Sequence, residues 1–190
     1  MEATIFNNTA SKEPSWRRTR YCSSFHPHLE SGSRANKRLA DAARSLDNVT
    51  VRDEYALYPD FSIDVKAEQE ALLKAERVVW QFPFYWYSTP ALLKQWEDLV
   101  LEHGWVYGHG GDKLHGKKLQ LAITVGADQF KYTHEGEFGV TGLELLKPLE
   151  TTARHIGMTF SKPFAIHGTL SITDEQLDEE AQRYVQLLSK

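Results

Sequence analysis

From about residue 33 onward, short runs of aliphatic and β-branched residues alternate with longer stretches whose apolar positions recur every three or four residues. This is the rhythm of repeated strand–helix–strand units. Ala35, Leu39, Ala42, Ala43 and Leu46 predict a helix over Ser33 to Ser45, and Val49-Thr50-Val51 a short strand after it. Tyr58-Pro59-Asp60 breaks the chain, and Val65 to Lys74 returns to helix with Ala67, Ala71 and Leu72 toward the core. Arg77 to Phe82 predicts a strand that stops at Pro83, which has no N–H for the ladder. Pro90 suits a first helical turn, and Leu92, Leu93, Trp96, Leu99 and Val100 carry that helix to about His103. A glycine-rich connection, 104 to 116, has the length at which loops tend to be functional. Lys118 to Thr124 predicts a strand, Gly142 to Ile156 a helix disturbed by Pro148, and Met158 to Ile166 the last strand. Thr173 with Gln176 forms a capping-box pattern before a closing helix that ends near Leu188.

Four strands thus alternate with helices, and an α/β sheet of this kind needs a further strand ahead of the first helix. In a doubly wound sheet that strand is usually central and opens into the ligand-binding turn. The residues in its place are Arg20-Tyr21-Cys22-Ser23-Ser24-Phe25, of which only Tyr21, Cys22 and Phe25 are apolar. Each missing large aliphatic side chain forfeits about 1.5–3 kcal/mol of burial. Ala3-Thr4-Ile5-Phe6 would serve only if about twenty structureless residues separated the strand from its turn, which compact domains seldom allow. Residues 1–24 are therefore expected to be an atypical N-terminal segment with a degenerate first strand, not ancestral to the fold, and residues 25–190 to be the domain proper.

Composition narrows the function classes. The chain has 190 residues, 22 Lys and Arg against 26 Asp and Glu, a net charge of −4 and one cysteine. One domain is expected at this length. A mildly acidic chain without a long basic run lacks the charge that nucleic-acid binding depends on. Cys22 alone forms no internal disulfide, so a reducing cytoplasm fits. No window supplies the roughly 20 apolar residues that span a bilayer. Trp16-Arg17-Arg18 lacks the apolar stretch that an export signal requires after it. Five Trp, eight Tyr and nine Phe are many for this length.

Two constellations carry chemistry. His26-Pro27-His28-Leu29-Glu30-Ser31-Gly32-Ser33-Arg34-Ala35-Asn36 leads into the first helix, where free N–H groups and the dipole favour a phosphate. Plain N-capping by Ser31 or Ser33 is the alternative. His26 and His28 have no companion ligands at metal spacing, so no metal is expected. Gln81-Phe82-Pro83-Phe84-Tyr85-Trp86-Tyr87-Ser88-Thr89-Pro90 puts four consecutive aromatics at a strand's C-terminal end, which suggests a planar ligand or a subunit contact.

With these residues the chain resembles the flavodoxin-like NAD(P)H:quinone oxidoreductases, in particular the bacterial branch of general NAD(P)H oxidoreductases and ancillary flavoprotein subunits of glutathione-gated potassium efflux systems. The resemblance covers about residues 25 to 188. It rests on His26-Pro27, Ser33 to Lys37, Leu57-Tyr58-Pro59-Asp60-Phe61, Gln81 to Pro90, Leu92-Leu93-Lys94 and His103-Gly104-Trp105-Val106-Tyr107-Gly108 in that order. It implies a flavodoxin-like, doubly wound, five-stranded parallel sheet with helices on both faces, binding FMN rather than FAD at the strand C-termini. The flavin phosphate would lie on His26 and on Ser33, Arg34, Ala35 and Asn36, and Phe84, Tyr85, Trp86 and Tyr87 would border the ring. The family's third flavin segment, commonly Thr-Thr-Gly-Gly, falls on Thr124-Val125-Gly126-Ala127. Two of four residues depart, so a hydroxyl contact at Val125 is lost while backbone N–H contacts survive. A loop that carries Tyr and His near the flavin in some relatives here carries Tyr132 and Phe138, so a histidine relay is absent, and Tyr132 is either a participant or a pocket wall.

The resemblance further implies hydride transfer from NAD(P)H to the flavin and on to a quinone or similar acceptor, with ping-pong kinetics, in a cytoplasmic homodimer. Two other readings stay open: a regulatory subunit docked on the inner face of a potassium efflux transporter, and an inactive relative that binds flavin weakly.

Overall fold

The computed structural model describes residues 19–190. The strands are β1 (Arg20–Ser24), β2 (Val49–Asp53), β3 (Arg77–Pro83), β4 (Lys118–Thr124), β5 (Thr159–Phe160) and β6 (Phe164–Ile166). The helices are α1 (Leu29–Gly32), α2 (Arg34–Arg44), α3 (Glu54–Leu57), α4 (Val65–Lys74), α5 (Ala91–Val100), α6 (Gly142–Leu145), α7 (Lys147–His155) and α8 (Asp174–Ser189). All strand pairs are parallel, in the order β2-β1-β3-β4-β5, and β6 also pairs with β4. The single last strand expected from Met158 to Ile166 is thus two pieces occupying one edge position. Pro163 lies between them and has no N–H to continue the ladder.

Both sheet faces are covered, as an all-parallel sheet requires. On one face Tyr21, Phe25, Trp80, Phe82 and Leu121 pack with Leu72 of α4, Leu92, Leu93 and Trp96 of α5 and Leu149 of α7. On the other, Cys22, Val79 and Ala122 pack with Leu39 of α2 and Leu177, Tyr184 and Leu188 of α8. Local chemistry sets the boundaries. Ser33 caps α2, Asp64 caps α4, and Thr173 with Gln176 closes the capping box of α8. The helix expected over Gly142 to Ile156 is interrupted at Leu146, and Pro148 stands in the first turn of α7, where its missing N–H costs nothing.

The first strand, which composition disfavours, is formed and central. All five residues are buried, and Arg20 to Ser24 run in register with Val49 to Asp53 on one side and Arg77 to Gln81 on the other. Polar contacts stand in for the aliphatic side chains it lacks. Tyr21 Oη donates to Glu68 Oε2 at 2.5 Å, Trp96 Nε1 to the same oxygen at 3.0 Å, and Tyr58 Oη to Glu68 Oε1 at 2.6 Å. Arg52 pairs with Glu68 and approaches Glu54 Oε1 at 3.7 Å. Burial, and then the charge of Glu68, push the Glu54 carboxyl well above the ordinary carboxylate range. The expectation about the N-terminal segment otherwise concerns residues 1–18, which lie outside the described residues.

Candidate functional site at the carboxyl ends of the strands

The strand order reverses between β1 and β3, and in open α/β sheets ligands bind outside the carboxyl ends of the strands at such a switch point. Three segments meet there. The first is the turn from β1 into α2. Phe25 N donates to Gln81 O at 2.8 Å, and His28 N to His26 Nδ1 at 3.1 Å. Burial holds the His26 pKa below its usual value, so its imidazole is neutral at pH 7. Ser33 Oγ accepts from Asn36 N at 3.0 Å. The N–H groups of Arg34 and Ala35 have no acceptor among the described residues and remain available to a ligand. The Arg34 side chain, expected at the phosphate, turns away: its guanidinium donates to Asp174 Oδ1 at 3.0 Å and Ile172 O at 2.5 Å at the start of α8. Only its backbone faces the turn.

Asn36 is buried, and Nδ2 donates to Thr124 Oγ1 at 2.6 Å, while Oδ1 finds no partner among the described residues. Gln81, fully buried on β3, donates from Nε2 to Asn36 O at 2.9 Å and to Ser24 Oγ at 3.5 Å. A buried polar chain, Ser24–Gln81–Asn36–Thr124, therefore joins the ends of β1, β3 and β4 to the start of α2.

The second segment is the aromatic turn. Tyr85 and Ser88 exchange backbone hydrogen bonds of 3.1 and 3.0 Å, and Trp86 (φ 49°) and Tyr87 (φ 64°) both lie in the left-handed region, as in a type I′ turn. Asn or Gly normally fills such positions, so two bulky aromatics there are strained and mark a site. Trp86 is 90% exposed. Tyr87 packs its ring 5.2 Å from Phe138 and 6.4 Å from Tyr132, and Phe84 lies 6.1 Å from Tyr132.

The third segment follows β4. Val125 is buried and its N–H is taken by Ile166 O at 2.8 Å, so it offers a ligand neither hydroxyl nor amide. The N–H groups of Gly126 and Ala127 have no acceptor among the described residues. Exposed Leu170 lies against Gly126, where a Cβ would come 3.4 Å from its side chain.

A histidine is present after all, from a segment the sequence did not single out. His167, just past β6, has its ring 5.8 Å from that of Tyr132. Its position after an aliphatic strand end was the available signal. Burial lowers the His167 pKa and raises that of Tyr132, so both are neutral near pH 7, with the phenol retaining its proton. Phe84, Val125, Tyr132, Thr141 and His167 line a cleft of about 290 Å³. Among the described residues no helix is long and apolar enough to cross a membrane.

A family model described as a flavodoxin-like fold matches residues 24–188. Over 163 residues the chain is 50% identical to a Bacillus subtilis protein named uncharacterized NAD(P)H oxidoreductase YrkL, covering 86% of this chain and 93% of that one. It is 48% identical over 163 residues to the glutathione-regulated potassium-efflux system ancillary protein KefF of Salmonella arizonae, covering 86% and 91%. The crystal structure of general stress protein 14 from Treponema denticola, in complex with FMN, matches with a TM-score of 0.86 at 37% identity, over 90% of this chain and 98% of that one. The strand order, the three converging loops and these matches agree, and the chain belongs to the flavodoxin-like fold family.

Proposed function

We propose that this protein is an FMN-dependent NAD(P)H:quinone oxidoreductase, transferring two electrons from the nicotinamide to a quinone or similar planar acceptor. The observation that carries the reading is the junction of free backbone donors with an aromatic wall. The N–H groups of Arg34 and Ala35 suit a phosphate, those of Gly126 and Ala127 suit polar ring edges, and Phe84 to Tyr87 suit a flat ring. These donors and walls fit FMN, and the T. denticola relative holds that cofactor. When bound, the flavin supplies hydride chemistry in both directions.

The chain's own residues bind and orient. The first turn of α2 fixes the phosphate, with charge-assisted hydrogen bonds of about 1.5–3 kcal/mol each. Tyr85, Trp86 and Tyr87 border the ring and exclude water from one edge. Tyr132, which holds its phenol proton, and His167 line the cleft with their rings 5.8 Å apart, and either can supply a hydrogen bond to an acceptor oxygen. Donor and acceptor are both flat and would use one aromatic-walled face in turn, so ping-pong kinetics follow. A homodimer is part of this proposal, because the exposed aromatic turn is a surface that a second copy would cover.

Purification tests the reading. A yellow protein with one FMN per chain that oxidises NADH or NADPH with a soluble quinone supports it, and a colourless protein that takes up no added FMN defeats it. The similarity to KefF favours a second role, as an ancillary subunit of a potassium efflux transporter. Potassium efflux measured with and without the protein separates the two, since a reductase alone leaves gating unchanged.

A further inference from the structure

The amino ends of the strands, opposite the loops of the flavin site, carry charge of one sign. Arg20, Arg77 and Lys118 are the first residues of β1, β3 and β4, and each is the register partner of the next, so cations stand side by side across three adjacent parallel strands. Neighbouring strands lie about 4.8 Å apart, and like charges directly opposite one another are destabilising. Together with His115, Gly116 and Lys117 the row lines a concavity of about 590 Å³. Glu76 supplies the opposing side-chain charge, and at Lys190 the ammonium and the main-chain carboxylate offset each other. The row is therefore a positive spot on a chain whose net charge is −4.

Two of these cations also end helices. Arg77 Nη1 donates to Leu187 O at 2.9 Å, and Lys117 Nζ to Leu73 O at 3.0 Å and to Ala75 O, at the carboxyl ends of α8 and α4. Carbonyls hold the cations in place without discharging them, and burial lowers the pKa of both. Arg20, only 4% exposed, is engaged within the protein and contributes charge rather than a free donor. Lys118 differs: it is exposed, and among the described residues its side chain makes no hydrogen bond or ion pair. Helix capping thus accounts for Arg77 and Lys117 and leaves the third member of the row unexplained. Guanidinium and ammonium groups lined up in a concavity recognise phosphate oxygens. A row across three strands spans about 10 Å, more than one phosphate needs and enough for two or three linked phosphoryl groups. No Phe, Tyr or Trp lines the concavity to stack a nucleobase, and its depth suits a small molecule rather than the flat face of a bilayer. We propose that the amino end of the sheet is a binding site for a polyphosphate anion, held by Arg77, Lys117 and Lys118 and separate from the flavin. The site is independent of the reductase reading, because it lies at the opposite ends of the strands.

Titration calorimetry and thermal melts of the full chain test this, with inorganic tripolyphosphate, phosphate and sulfate as probes. Tripolyphosphate is expected to bind roughly tenfold more tightly than either single anion, and to weaken as salt rises from about 50 to about 200 mM. Saturating FMN should leave that affinity unchanged. Lys118→Gln is expected to weaken tripolyphosphate about fivefold and, without anion at low salt, to leave the melting temperature level or raise it, because the row loses a repelling neighbour. Lys66→Gln makes the same change of charge on an exposed residue near the start of α4, away from the concavity, and should alter neither. Absence of tripolyphosphate binding overturns the proposal by leaving the cations as helix caps alone. Equal affinity for the three anions, or equal losses in Lys118→Gln and Lys66→Gln, overturns it by showing a diffuse ion atmosphere. Competition between tripolyphosphate and FMN overturns it by placing the anion in the turn before α2. Binding to phosphatidylcholine vesicles that contain phosphatidic acid, without affinity for tripolyphosphate, also overturns it, by making a lipid surface the partner.

Discussion

Asn36 donates its side-chain amide to Thr124 Oγ1 at 2.6 Å, so the first turn of α2 is tied directly to the last residue of β4. The contact joins two of the three segments that surround the proposed flavin, and both partners are buried. Thr124→Val keeps the shape and removes the acceptor, leaving the Asn36 amide unpaired at a cost of about 1–3 kcal/mol. The variant should fold with a melting temperature lower by several degrees, and FMN affinity should fall by roughly tenfold because α2 is no longer held in register with β4. A fluorescence titration that returns the wild-type FMN affinity would disprove this link.

The aromatic turn sets stability against function. Trp86 and Tyr87 adopt left-handed backbone angles that cost non-glycine residues of order 1–3 kcal/mol. Tyr87→Gly should therefore raise the melting temperature of the flavin-free protein, or at worst leave it level, since the lost ring contacts with Phe138 and Tyr132 offset part of the relief. FMN affinity and quinone turnover should both fall in the same variant. A strong loss of stability together with intact turnover would mean that the turn is structural.

Neighbouring residues at the start of α2 should behave differently. The Arg34 side chain reaches Asp174 and Ile172 on the surface, where exposed pairs are worth about 0–1 kcal/mol. Arg34→Ala should leave FMN affinity within about threefold of wild type. Ser33→Ala removes a capped N–H at about 1 kcal/mol and loosens the turn itself, so its effect on FMN affinity should be the larger. Reversal of that order would place the Arg34 guanidinium on the phosphate.

Much of this architecture is legible in the sequence because its causes are local. Val65–Lys74 and Lys118–Thr124 fall at the boundaries that periodicity predicts, and the capping box at Thr173 opens α8. What sequence cannot display is partnership across the fold. The first strand looks too polar until Tyr21 is seen on Glu68, and Arg34 looks like a phosphate ligand until Asp174 is seen beside it. His167 and Glu97 are isolated letters in the chain, and tertiary packing alone puts one beside Tyr132 and the other in a cavity. The aromatic segment, Phe84 to Tyr87, was legible because four such side chains after a strand have no ordinary core role.

Stability should depend on pH in a way that reports Glu97. Burial raises its carboxyl from an ordinary 4.5 to about 7, opposed in part by Lys94 and reinforced to a lesser degree by Asp98. Between those values the native state holds a proton that the unfolded chain has released. Its contribution is therefore intact below about pH 4.5 and is lost as pH rises toward 7, on the order of 3 kcal/mol in all. Glu54, raised for similar reasons, acts in the same direction. His26 and His167, lowered by burial, act in the opposite direction below about pH 6.5, so the wild-type profile alone is ambiguous. The difference between Glu97→Gln and wild type isolates the carboxyl. The two should melt together near pH 4.5, and the variant should be more stable by several degrees at pH 8. Parallel melting curves across that range would show that Glu97 has a partner in solution.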